Sequence, residues 1–325
     1  MPSGGDKDIN PPVLVKLSKS FDEETKKINK VVLTFDERII ENNFVKNLYS
    51  SPPLELIDYQ IKSNSLEIIF KETDNKNYWL VMNKCIKDLN EGNVLDELNC
   101  KLFENSKDSI YSYKVRLINS LTGLPEINSW VFLYEKKIND SLIFNDSPSY
   151  ITKTNNEGYA TFMPNINKGL FNLVSLSGDD YIYDYGELIS FSEELVDIGV
   201  DTFSMLYSFD PAYKLDTTTK SLDTTRINSG GSLKLATTFI ETIVVQLISD
   251  NKIVVEKTFD NIEYLKISNI PQGKYDLRIF LDKNNNGKWD SGSFLERKQA
   301  EKTYLYPEKI SIRDKWDLEI DWTIE

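Results

Sequence analysis

The feature that most restricts this chain is a two-residue alternation of apolar side chains that recurs along most of its length. Leu66, Ile68 and Phe70 alternate with Glu67 and Ile69, and Tyr113, Val115 and Leu117 with Lys114 and Arg116. Val131 and Leu133 repeat the pattern, as do Ile243, Val245 and Leu247, and Val31-Val32-Leu33-Thr34-Phe35 sets Leu33 and Phe35 on one side. Successive side chains of a strand point to opposite faces, so each run offers one face to a core and the other to solvent or a second sheet. Turn residues (Gly, Pro, Asn, Asp) separate the runs. Many short strands punctuated in this way predict an all-β chain of serial β-sandwiches. A few helical turns are expected over Asp36–Asn47, where Ile39, Ile40, Phe44 and Val45 have helical spacing.

A length of 325 residues accommodates two or three domains. Residues 1–12 read as a flexible N-terminal tether ending at Pro11-Pro12, followed by a first β-sandwich over 13–104. A polar joint, Asn105-Ser106-Lys107-Asp108, leads into a second over 108–208. The stretch 209–232 reads as a linker, poor in apolar residues from Asp216 to Thr225 and closing on Ser229-Gly230-Gly231-Ser232. A third sandwich occupies 233–325. Ile166, Gly169, Phe171 and Leu173 match Ile270, Gly273, Tyr275 and Leu277 at one common offset of 104 positions. Either two domains share a strand–turn–strand unit, or two ordinary hairpins happen to align.

Composition narrows the chemistry. The chain has no histidine, which removes the usual general base, the Ser–His and Cys–His pairs and the commonest zinc ligand. The 51 Asp and Glu residues guarantee chance carboxylate pairs, so none marks a hydrolase, and a non-enzyme is expected. A net charge of −13 with no basic cluster argues against a nucleic-acid or anionic-membrane surface. No apolar run approaches the roughly 18 residues of a membrane span, and no stretch reads as a signal peptide. Cys85 and Cys100 are compatible with one disulfide or with two small buried hydrophobes.

One local motif carries ligand chemistry. Asp282-Lys283-Asn284-Asn285-Asn286-Gly287-Lys288-Trp289-Asp290 fits the first nine positions of a D-x-[DN]-x-[DN]-G calcium loop. Asp282, Asn284 and Asn286 supply side-chain oxygens, Gly287 the sharp turn, Lys288 a backbone carbonyl and Asp290 the ninth position. The twelfth position is Ser293, with Glu296 three residues late, so a calcium site here needs Glu296 to fold back. The competing reading is an Asn/Gly hairpin loop that satisfies its own backbone. At the same offset Gly178–Gly186 has lost the oxygen spacing and reads as a hairpin, with Asp179 and Asp180 as solvated turn residues. Trp79, Trp130, Trp289, Trp316 and Trp322 belong by default to sheet packing; of these, Trp289 in its polar loop is the candidate for stacking on a sugar.

Taken together, these segments resemble the Ig-like-domain lipoproteins of Bacteroidota-type cell envelopes. The opening Pro2-Ser3-Gly4-Gly5-Asp6-Lys7-Asp8 with Pro11-Pro12 resembles the segment that follows that family's lipid-bearing cysteine. Leu33-Thr34-Phe35-Asp36-Glu37, Ser51-Pro52-Pro53 and Asp88-Leu89-Asn90-Glu91-Gly92-Asn93 are similar to its S-layer-type bacterial Ig-like domain. Thr122-Gly123-Leu124-Pro125, Thr154-Asn155-Asn156-Glu157-Gly158 and Lys168-Gly169 look like a carboxypeptidase-regulatory, transthyretin-like sandwich. Asn286–Gly292, Tyr306-Pro307 and Asp314-Lys315-Trp316-Asp317 are similar to the closing β-domain. The chain departs from the pattern in having Met1 where a lipidated cysteine belongs, and in lacking further β material before the last domain. The resemblance implies serial Ig-like and transthyretin-like sandwiches, a lipid-anchored outer-membrane location, other envelope proteins as partners, and no catalytic residues. The expected function is non-catalytic binding or scaffolding; the alternative is a calcium-supported carbohydrate- or peptide-binding module.

Overall fold

Alternation decides which side chains leave water. The computed structural model describes residues 7–21, 28–71, 77–102, 111–135, 146–213, 230–250 and 252–323. Within these, Leu33, Phe35, Leu66, Ile68, Phe70, Tyr113, Val115 and Leu117 are all buried, on the faces their spacing predicts. The described chain is all-β apart from one helical turn.

The N-terminal unit comprises β1 (Leu14–Phe21), β2 (Ile28–Phe35), β3 (Ile39–Glu41), β4 (Leu48–Ser51), β5 (Leu56–Lys62), β6 (Ser65–Phe70), β7 (Trp79–Asn83), β8 (Ile86–Asp88) and β9 (Glu97–Lys101). They form a four-stranded sheet, β1-β2-β6-β5, a three-stranded sheet, β4-β7-β9, and the pair β3-β8. The helix expected over 36–47 shrinks to α1 (Phe44–Asn47). Ile39 and Ile40 are instead drawn into β3 opposite Asp88 and Lys87, and Asn43 takes a left-handed conformation that breaks the intended periodicity. Of residues 7–12, Pro12 is buried and the rest are exposed, with Asn93 Nδ2 donating to the Asp8 carbonyl at 3.2 Å.

The next two units have the same plan, strand for strand. One comprises β10 (Tyr111–Asn119), β11 (Trp130–Tyr134), β12 (Tyr150–Lys153), β13 (Tyr159–Ile166), β14 (Gly169–Leu176), β15 (Ile189–Phe191), β16 (Val196–Ile198) and β17 (Phe203–Ser208). The other comprises β18 (Gly231–Phe239), β19 (Ile243–Ser249), β20 (Lys252–Phe259), β21 (Ile262–Ile270), β22 (Gly273–Leu281), β23 (Thr303–Leu305), β24 (Ile310–Ile312) and β25 (Asp317–Asp321). Each stacks a three-stranded sheet, β13-β10-β17 or β21-β18-β25, on a five-stranded one, β12-β11-β14-β15 or β20-β19-β22-β23, with β16 or β24 also pairing β14 or β22. The register repeats too. Gly169 faces Ile198 as Gly273 faces Ile312, and Val174 faces Phe191 as Arg278 faces Leu305. The matching residues at the 104-position offset therefore belong to a shared fold, not merely to a hairpin.

The two repeats also share a core. In β11, Val131 and Leu133 point into their own sandwich, while Trp130, Phe132 and Tyr134 point outward. They join Ile189, Phe191 and Phe209, and from the last unit Val244, Phe280, Trp289, Phe294 and Ala300. Polar contacts reinforce this seam: Arg278 donates to the Leu121 carbonyl at 3.2 Å and Ser291 Oγ to the Asp210 carbonyl at 2.7 Å. The ends of the stretch read as a linker thus belong to sheets, because Phe209 pairs with Ile189 and Gly231 opens β18. Residues 214–229 lie outside the described residues, as does the joint at 105–108. The N-terminal unit meets the middle one through Asn165 Nδ2, which donates to the Ser51 carbonyl at 2.5 Å, and through Tyr49, edge-on to Trp130 at 5.3 Å.

Candidate metal centre

The loop from Asp282 to Lys302 leaves the end of β22 and returns into β23. Its base is fixed by the Asp282 N–H, which donates to the Thr242 carbonyl at 2.9 Å, and by the Leu281 N–H on the Lys302 carbonyl at 3.0 Å. Asp282 is buried and accepts two backbone N–H groups, Asn286 at 3.0 Å on Oδ1 and Gly287 at 2.7 Å on Oδ2. Asn284 Oδ1 accepts the Asn286 N–H and Asn286 Oδ1 the Lys288 N–H, at 3.1 and 2.7 Å. Gly287 has φ +73°, which explains a glycine at the sharp turn.

Of the five motif residues, Asn284, Asn286 and Asp290 meet through their side chains, Asp282 holds the turn through backbone N–H groups, and Lys288 joins through its own N–H on Asn286. Asn284 Nδ2 and Asn286 Nδ2 both donate to Asp290 Oδ2, at 2.5 and 2.7 Å. This is the self-satisfied Asx loop of the plainer reading. A calcium ion would have to replace these bonds: turning either amide over would aim a hard oxygen toward Asp290 but would give up the bond that the same oxygen accepts from the Asn286 or Lys288 N–H. Ser293 and Glu296 do not join it. Ser293 pairs with Lys298 in a separate turn, and Glu296, exposed, donates its N–H to Ser293 Oγ at 3.2 Å.

The carboxylate that does reach the loop is Glu301, eleven residues beyond the ninth motif position. It is buried, and its two oxygens accept the N–H groups of Lys283 and Asp290 at 2.8 and 3.0 Å. Burial pushes its carboxyl above the usual range; the two N–H bonds oppose this, while the charges of Asp290 and Asp282 add to it. A divalent cation would relieve that crowding of negative charge. The motif could not reveal Glu301, because chain reversal at Ser293–Lys298 brings it back.

Trp289, the sugar-stacking candidate, is instead in the shared core, its indole N–H donating to the Glu301 carbonyl at 2.7 Å. In the equivalent loop of the middle unit, Asp180 Oδ1 accepts the Ile182 N–H at 2.8 Å in a plain turn, and Asp179 is exposed, 3.7 Å from Lys46. Tyr181 and Tyr183 of that loop pack on the shared core.

A second acidic group, Glu37, Asp88 and Glu91, lies in the N-terminal unit. Asp88 is buried, and its oxygens are occupied by the N–H groups of Glu91, Gly92 and Asn93 at 2.6, 2.8 and 2.7 Å. Burial would raise its carboxyl, but the combined backbone N–H groups outweigh that and hold it below the ordinary range. Its role is to close the loop after β8. Cys85 and Cys100 are both free and buried, and burial pushes their thiols up to about 12 and about 11.

No protein-family model matches the chain, and no curated protein does. Among solved structures it is similar to the Bacillus anthracis TIE protein, at 12% identity and a TM-score of 0.20 over 99% of this chain and 59% of that one. It is also similar to fervidolysin from Fervidobacterium pennivorans, a keratinolytic enzyme related to subtilisin, at 13% identity and 0.23 over 55% and 26%. A streptococcal ancillary pilin matches at 9% identity and 0.20 over 82% and 80%. The chain therefore spans about three fifths of the length of the first.

Proposed function

We propose that this chain is a non-catalytic binding or scaffolding protein of the cell envelope, acting through the faces of its β-sandwiches on other envelope proteins. The single observation that supports it best is the shared core of the two repeats, which packs two sandwiches against each other as one unit. The buried carboxylates Asp88, Asp282 and Glu301 are engaged by backbone N–H groups, an arrangement that builds loops. The resemblance of its motifs to envelope lipoproteins supports an outer-membrane location through an N-terminal lipid. Fractionation of the native host with cross-linking tests this: recovery in the envelope fraction with a stoichiometric envelope partner is expected. Fully soluble protein without such a partner would reject it.

A second reading, a calcium-supported module that binds carbohydrate or peptide, is favoured by the motif spacing of Asp282, Asn284, Asn286, Lys288 and Asp290, by the two amides that meet at Asp290, and by Glu301, which accepts the Lys283 and Asp290 N–H groups of the same loop. Ligand binding that disappears with a chelator is its expected signature.

A further inference from the structure

We propose that the outer face of the β13-β10-β17 sheet is a docking surface for an acidic, uronate-bearing polysaccharide, a partner class beyond the envelope proteins proposed above. Pairing places Lys114 between Thr161 and Phe203, and Arg116 between Tyr159 and Met205. Tyr159, Phe203 and Met205 are large side chains left exposed on this face, at 39%, 47% and 39%. The Arg116 guanidinium lies over the Tyr159 ring at 5.2 Å, and Lys302 Nζ over the Tyr207 ring at 4.6 Å. Past Tyr207 the face runs into a cleft of about 310 Å³ between the two repeats, lined also by Lys283, Gln299 and Lys302, with Glu193 on its wall.

The last unit supplies an internal comparison, because β25 runs parallel to β18 as β17 does to β10. There the final strand carries Asp317, Glu319 and Asp321, and the cations are neutralised: Lys234 lies 3.0 Å from Asp317 and 2.7 Å from Glu319, and Lys266 lies 3.7 Å from Asp317. In the middle unit Phe203, Met205 and Tyr207 hold the corresponding strand. No carboxylate of the described residues makes an ion pair with Lys114, Arg116 or Lys302. On one copy of the repeated face the lysines are met by carboxylates; on the other, cations that no described carboxylate pairs are interleaved with rings.

That pattern fits a polymer with flat apolar faces and regularly spaced carboxylates. Ring faces stack on the C–H face of a sugar, and the planar guanidinium fork matches a carboxylate. A protein partner fits less well, since a stable protein interface wants about 800 Å² per side around a dry apolar centre, whereas here cations interrupt the rings.

The test uses the intact chain, with soluble polygalacturonate as probe and neutral dextran as control, in calorimetry at physiological salt. Polygalacturonate is expected to bind and dextran not to. The double variant K114Q/R116Q should weaken binding at least tenfold, as should Tyr159→Ala, while K234Q/K266Q on the equivalent face leaves it unchanged. Unchanged circular dichroism of K114Q/R116Q keeps the result interpretable if Tyr159→Ala disturbs folding. Absence of polygalacturonate binding, or undiminished binding by K114Q/R116Q, overturns the proposal. So does a concentration-dependent dimer that K114Q/R116Q abolishes, which would make a second copy of the chain the occupant.

Discussion

The indole N–H of Trp289 donates to the backbone carbonyl of Glu301 at 2.7 Å, and this bond ties the floor of the acidic loop to the core shared by the two repeats. Asp290, the next residue, exchanges backbone and side-chain bonds with the same glutamate. Loop order and the seam between sandwiches are therefore one structural problem.

Replacing Trp289 should make this visible. Trp289→Ala removes a buried ring that also meets Tyr213 edge-on at 5.5 Å, and a change of this kind costs about 3–5 kcal/mol. Trp289→Phe keeps much of the ring but leaves the Glu301 carbonyl without its donor, worth about 1–3 kcal/mol. Urea midpoints should fall in that order, with probes of the middle and last units moving together. Separate transitions for the two units would contradict a common core.

On the second reading, calcium should stabilise the intact chain. Linkage predicts about 2.7 kcal/mol at a concentration one hundred times the dissociation constant, read as a rise in melting temperature. Asp290→Asn and Glu301→Gln should each reduce the rise. Because the carboxyl of Glu301 is raised in the fold, its ionisation opposes stability as pH climbs from about 4.3, the unfolded value, through the folded one. The calcium-induced rise should therefore be larger at neutral pH than near pH 4. An identical melting temperature with calcium and with chelator would leave the loop a self-contained turn.

What could be read in advance, and what could not, follows from range. Leu66, Ile68 and Phe70, or Tyr113, Val115 and Leu117, show their buried face through local alternation, and the 104-position matches at Ile166 and Gly169 announce the repeated fold. The seam was harder. Trp130-Val131-Phe132-Leu133-Tyr134 is apolar throughout, the mark of a strand covered on both faces, yet attention to Val131 and Leu133 alone implies a single core. Glu301 and the Phe203–Tyr207 face had no local signal at all; only sheet pairing brings their partners to them. Helical spacing at Ile39–Val45 misled because Asp88 and Lys87, distant in sequence, offered a strand partner.

Asp88 makes acid sensitivity a property of the N-terminal unit. Its folded-state carboxyl is lowered, so its contribution is present above the unfolded value of about 3.9 and is lost as pH falls through the lower folded value. Asp88→Asn retains one acceptor for three N–H groups and should be less stable at neutral pH, with a flatter loss below about pH 4. Urea midpoints between pH 2 and 7 measure both slopes; parallel curves would show that Asp88 carries no such linkage.

Gly123 tests how closely the repeats are held. It has φ +75°, and its N–H donates to the Asn119 carbonyl at 2.8 Å, closing the turn after β10. A Cβ placed there would meet the Leu305 backbone nitrogen at 2.9 Å and the Thr303 carbonyl at 3.1 Å, both on β23 of the neighbouring repeat. Gly92 is the matched control, since it has φ +79° with open space around it. Gly92→Ala bears only the left-handed backbone penalty of about 1–2 kcal/mol, whereas Gly123→Ala adds an overpacking term of about 1–3 kcal/mol. The backbone of β23 has no rotamer to yield, so the strain must open the seam near Arg278 and Leu121. A larger drop in urea midpoint for Gly123→Ala than for Gly92→Ala is expected; equal drops would mean that the turn and β23 are not in firm contact.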